Sequence, residues 1–144
     1  EASTEKERDR VRERLRIGIQ WDTQVTIRSS THTVTQAYCS ALPVAYSHHP
    51  SELWEAFARL VLEASYEATI SAAILNAERT GNKRVFLTQL GGGAFGNETE
   101  WIIDSIQRAL RLCEDRDLDL AIVSYGASKP AVRHVVKQWE PDLV

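Results

Sequence analysis

The stretch Arg84-Val-Phe-Leu-Thr-Gln-Leu-Gly-Gly-Gly-Ala-Phe-Gly-Asn97 decides the fold. Alternating apolar residues over 84–90 predict a strand, which runs directly into Gly91, Gly92, Gly93 and Gly96. Asn97 and Glu100 then have the spacing of a capping box, so a helix is predicted to start at about residue 98 and to run to 113. Ile102, Ile106, Ala109, Leu110 and Cys113 mark its apolar face. Leu118-Asp-Leu-Ala-Ile-Val-Ser-Tyr125 is a second strand, and its nearly unbroken apolar run predicts burial on both faces, as in a parallel sheet. Ser128 is placed to cap a last helix that carries Val132, Val135, Val136 and Trp139. Strand, helix, strand, helix is the order of a right-handed βαβ unit, which puts the chain in the α/β class.

Upstream of this unit, residues 51–79 predict a long helix, with Ser51 as N-cap and Gly81 just past its end. Leu53, Phe57, Leu60, Ala64, Ala68 and Leu75 form one stripe, and Trp54, Ala58, Val61, Leu62, Ile70 and Ile74 widen it. So broad an apolar surface predicts burial on more than one side, with a partner chain or a homo-oligomer covering residues 51–78 if the fold is incomplete. Residues 15–27 alternate as a strand broken at Asp22-Thr23, and residues 32–42 begin another that Pro43 ends. Residues 1–16 are dense in charge and predict a separate N-terminal helix, held by a thin stripe of Val11 and Leu15. A basic arm for phosphates is the sharper reading of that segment; a solvated helix is the plainer one, and it is preferred.

The chain has 144 residues and a mass of 16.2 kDa, enough for one domain. At 43% apolar and 26% charged it has the composition of a folded domain rather than a disordered segment. No run approaches the roughly 20 apolar residues that span a bilayer. A net charge of −3 and a pI near 5.8 argue against nucleic acid held by overall positive charge. Two cysteines and no signal-peptide pattern predict a reducing, cytoplasmic setting. Methionine is absent even at position 1, which predicts a processed product or a fragment of a longer chain.

Glycines between a strand and a helix permit left-handed dihedrals and let a ligand approach the main chain. Consecutive amides there, together with the helix start, suit an anion such as a pyrophosphate. A tight turn with no ligand is the plainer account, but one turn needs one glycine rather than four. The P-loop pattern fails, because Asn97 stands in place of its lysine and Glu98 in place of its hydroxyl. The dinucleotide fingerprint matches at Gly91, Gly93 and Gly96, yet the next strand ends Ser124-Tyr125-Gly126 with no acid for a ribose. An NAD-type Rossmann-like domain therefore stays as an alternative.

The segment 84–97, with the following helix and strand, resembles the C-terminal half of macrodomains. That family binds ADP-ribose, and some members act on its derivatives. Their second phosphate loop reads small-small-Gly-aliphatic-aromatic-Gly, matched here by Gly91, Gly92, Gly93, Ala94, Phe95 and Gly96, with Asn97 following. The resemblance covers roughly residues 32–140, with a specific motif only at 90–97. It implies a three-layer α/β sheet with helices on both faces over residues 17–144, amides of Gly92 to Gly96 on a diphosphate, Phe95 on the distal ribose and Tyr125 against adenine. Nothing in residues 1–50 matches the Gly-Asp turn, the Asn-Ala-Ala-Asn-like segment or the first glycine-rich loop, which carry most of the family's catalytic groups. Hydrolase activity is not implied for these residues alone; a hydrolase whose catalytic groups lie outside the chain is one alternative, and a non-catalytic interaction module is another.

Other candidates point to structure. His48-His49 fall in a turn, and His32 and His134 are far apart, so no metal site is expected. Cys39 and Cys113 lack a Cys-x-x-Cys partner and read as small buried residues. Ser40 and Ser124 lie outside any Gly-x-Ser-x-Gly context. Trp21, Trp54, Trp101 and Trp139 read as core, and Asp22 as a turn residue. No cofactor is expected beyond the nucleotide ligand.

Overall fold

A computed structural model describes residues 4–139. The ends of both predicted units, residues 1–3 and 140–144, lie outside the described residues.

The chain folds as α1 (Glu5–Arg12), β1 (Gly18–Gln24), β2 (Thr33–Tyr38), α2 (Glu55–Thr80), β3 (Arg84–Leu87), α3 (Thr99–Leu110), β4 (Asp119–Ile122) and α4 (Pro130–Trp139). Short 3-10 turns lie at Val44–Tyr46, at Ser51–Leu53 and at Arg111–Cys113. β1 and β2 form an antiparallel pair, and β3 and β4 pair in parallel across α3, as expected of a βαβ unit. The class is thus mixed α/β. Among the described residues the strands make two two-stranded sheets, not one continuous sheet.

One core holds α2, α3, α4 and the second sheet together. Leu62 and Ile70 of α2 meet Ile102 and Ile106 of α3, with Leu87 of β3 and Val135 of α4 in the same cluster. Each of these large side chains contributes about 1.5–3 kcal/mol by leaving water. Ser65 and Ser105, both buried on facing helices, are small enough to let α2 and α3 lie close. No helix of the described residues is long and apolar enough to cross a membrane.

Several expectations are corrected. Helix α2 starts at Glu55 after a 3-10 turn, and its N-cap is Trp54 with no side-chain cap, so Ser51 does not serve. Its C-terminal stop is as read: Gly81 is left-handed at φ +74° and donates its N–H to Ala77 O at 2.8 Å. Leu53, Phe57 and Leu75 are exposed, and the buried line is Ala58, Leu62, Tyr66 and Ile70. Among the described residues β4 is covered on one face only. Leu120 and Ile122 pack on the core with Val85 and Leu87, while Phe86 and Val123 are exposed on the other side.

The break at Asp22-Thr23 is a bulge within β1 rather than a strand end, with Asp22 left-handed at φ 53°. Trp21 is exposed and lies under the Arg79 guanidinium, 5.0 Å from its ring centroid, so it is not core. α1 is not held by Val11, which is exposed. Its anchor is Arg12, only 4% exposed, whose guanidinium meets Glu63 of α2 and, on its own helix, Glu5 and Asp9. Buried charge must be paired, and three carboxylates do that work here.

Candidate functional site

The loop after β3 begins with a phenol. Tyr66, buried in α2, donates its hydroxyl proton to Thr88 O at 2.7 Å and accepts the Leu90 N–H at 2.8 Å. Burial pushes that phenol well above the usual tyrosine range, so it stays protonated and keeps both bonds. Tyr66 was missed in the sequence. Its signal is a tyrosine amid small residues on a buried helix face, because such a hydroxyl needs a partner.

From there the chain closes on itself. Gly92 N–H donates to Gln89 O at 3.2 Å, Gly96 N–H to Gly93 O at 3.1 Å and Asn97 N–H to Gly91 O at 3.0 Å. Asn97 is buried, and its Nδ2 donates to Leu42 O at 2.8 Å and to Gly91 O at 3.4 Å. It therefore staples the loop to the segment after β2, and the helix N-cap is Glu98, with no side-chain cap. The capping box predicted at Asn97 and Glu100 does not form. A capping box does form at Thr4 and Glu7 of α1.

One side of the loop is plugged. Ala45 N–H donates to Phe95 O at 2.9 Å, and the rings of Tyr46 and Phe95 meet edge-on at 5.8 Å. Three of the four glycines are explained by this packing. A Cβ on Gly91 would lie 2.4 Å from Ala41 Cβ, one on Gly96 would lie 2.7 Å from Ala45 Cβ, and one on Gly92 would lie 3.0 Å from Ile102 Cδ1. Gly91 and Gly96 also have positive φ, at +75° and +67°. A Cβ on Gly93 meets nothing within 4 Å, and Gly93 does not have positive φ.

The amides sort the same way. Those of Gly92, Gly96 and Asn97 are bonded within the fold, which corrects the expectation that Gly92 to Gly96 all face a ligand. Among the described residues the N–H groups of Gly93, Ala94 and Phe95 have no acceptor, and Gly93 and Ala94 are exposed. Tyr125 stands fully exposed beyond the end of β4, and its neighbour Ser124 accepts from Gln89 Nε2 at 3.4 Å, which ties the two loops together. The open amides and Tyr125 thus share the edge where β3 and β4 end. Residues 88–100 contain no Lys, Arg or His, and Glu98 and Glu100 stand at the start of α3.

Cys39 lies just past the end of β2 with its Sγ 3.9 Å from Thr69 Oγ1, and burial pushes its thiol up, away from the nucleophilic thiolate. Cys113 is buried and is pushed up the same way. Among the described residues no group of three His, Cys, Asp or Glu side chains is placed to hold a metal ion. Neither the protein-family models, nor the curated proteins, nor the solved structures with which the chain was compared give a match.

Proposed function

We propose that this edge binds ADP-ribose or a related nucleotide diphosphate, with the amides of Gly93, Ala94 and Phe95 on a phosphate and Tyr125 against the base. The observation that carries the reading is Gly93. It is the one glycine of the loop that neither packing nor dihedral angle requires, and it flanks the unbonded amides. A Cβ there would stand in open space, where a ligand at those amides would meet it. The location agrees, because ligands of open α/β sheets bind beyond the carboxyl ends of parallel strands. The order of strand, long helix, loop strand, helix and strand is compatible with a macrodomain-like module, in which the two small sheets would be parts of one three-layer sheet.

Calorimetric titration with ADP-ribose tests the proposal, comparing wild type with Gly93→Val. Wild type is expected to release heat on binding, and Gly93→Val to lose it while unfolding at the same urea midpoint. No heat from wild type at millimolar ligand, about −4 kcal/mol in affinity, would end the reading.

A further inference from the structure

A cleft of about 580 Å³ lies between β2 and β3 over α2, away from the glycines of the loop. Its walls are unusual in one respect. Every residue from Thr33 to Tyr38 lines it on one side, and every residue from Arg84 to Thr88 on the other. A strand that shows a face to a cavity contributes alternate residues, so walls of consecutive residues are strand edges, with main chain toward the cleft.

Among the described residues both edges are unpaired: β2 pairs only with β1, and β3 only with β4. In the β3–β4 ladder the carbonyls of Lys83 and Leu87 accept from Asp119 and Val123, so alternation turns the N–H and C=O of Phe86 away from β4 and toward the cleft. In the hairpin the His32 carbonyl accepts from Val25, and the bulge lies on β1, so regular alternation along β2 turns the N–H and C=O of Thr35 the same way.

The two edges also run in the same direction. Thr35 bonds Asn76 late in α2, and Cys39, further along the chain, meets Thr69 earlier in it. β3 begins just after α2 ends at Thr80, and Thr88 beyond its far end is bonded by Tyr66. Each strand is therefore antiparallel to α2, and β2 and β3 are parallel to each other. Between them the floor is made of Thr69, Ala72, Ala73 and Asn76, small groups that leave the space open.

We infer that this cleft is a slot for one extended strand of a partner polypeptide, hydrogen-bonded on both sides and carrying small β-branched residues at alternate positions toward α2. Two facing rows of main-chain donors and acceptors select peptide in the extended form, since no other common ligand repeats its polar groups at the strand spacing. An inserted strand would also join the two small sheets into one five-stranded sheet.

The test is amide hydrogen exchange followed by NMR on the whole chain, with the capped synthetic octapeptide Lys-Val-Thr-Val-Thr-Val-Thr-Lys as probe. Saturating peptide is expected to slow exchange of the Thr35 and Phe86 amides at least tenfold. The same peptide N-methylated at every inner residue, which blocks both of its edges, is expected to protect neither, and Ala73→Tyr, which fills the floor, is expected to weaken binding at least tenfold. Should Ala73→Tyr fail to fold, the N-methylated peptide on wild type still decides. No protection at either amide, equal protection by the N-methylated peptide, or protection already present in a peptide-free dimer would each overturn the inference, the last by making a second copy the occupant.

Discussion

A Cβ added at Gly91 falls 2.4 Å from Ala41 Cβ and 2.7 Å from Asn97 Nδ2, in a residue whose φ is already positive. Overpacking and left-handed strain act together there, so Gly91→Ala is expected to cost about 2–4 kcal/mol in urea unfolding, against no loss at Gly93. The motif alone does not separate the two positions, because a glycine required by a neighbour 50 residues away reads the same as a glycine required by a ligand. Tyr66 makes a second residue-level point. Its hydroxyl holds both ends of the Thr88–Leu90 turn, and Tyr66→Phe is expected to cost about 1–3 kcal/mol near neutral pH. The folded phenol titrates above the ordinary tyrosine value of about 10, so only the unfolded chain gives up this proton as pH first passes that value. The unfolded state then binds fewer protons than the folded one, and stability falls as pH rises. The gap between wild type and Tyr66→Phe is therefore expected to be constant below about pH 10 and to shrink above it, as read from urea midpoints at each pH.

At the scale of elements, helix existence and the βαβ order were legible because period and glycine punctuation are local signals. The Gly81 stop and the parallel β3–β4 pair are examples. What stayed hidden depends on partners distant in sequence. Leu53 and Phe57 look like core in a helical wheel, yet nothing covers them among the described residues, whereas Tyr66 and Ala58 are buried by α3 and the sheet. α1 is the clearest case. Its apolar pair, Val11 and Leu15, suggested the contact, but the element is joined to α2 through Arg12 and Glu63 and to α3 through Arg108, which meets Glu5 and Asp9. An ion network of this kind leaves no periodic trace. Losing one member of a buried pair costs about 3–5 kcal/mol, and the half-exposed Glu5 and Asp9 can regain water, so Arg12→Leu is expected to destabilise by about 2 kcal/mol. Arg8→Ala, on the same helix but more exposed, is expected to stay within about 0.5 kcal/mol in the same urea titration.

For the molecule as a whole, the strand ends collect the parts of the site. Asn97 joins the glycine loop to the segment after β2, Gln89 joins it to the segment after β4, and α3 begins directly behind it. This convergence was only half legible. The loop itself is a local pattern, but its ties to Leu42 and Ser124 need the tertiary fold. The arrangement also sets the electrostatics. With no basic side chain from 88 to 100, the loop itself would offer an anion at Gly93 only its main-chain dipoles, against the charges of Glu98 and Glu100. Glu100 is bonded by Arg59 at 3.1 Å, which offsets its charge, whereas no cation bonds Glu98 among the described residues. Glu98 favours the helix start in the free protein and opposes a diphosphate in the bound one. Removing its charge is therefore expected to act in opposite directions on the two states. Glu98→Gln should lose a few tenths of a kcal/mol in the absence of ligand yet bind ADP-ribose about two- to fivefold more tightly, with the gain shrinking as salt is added. Thermal unfolding with and without ligand reads both effects at once, since a ligand at 100 times its Kd adds about 2.7 kcal/mol to the folded state. An affinity unchanged or weakened by Glu98→Gln would place any bound diphosphate away from the start of α3.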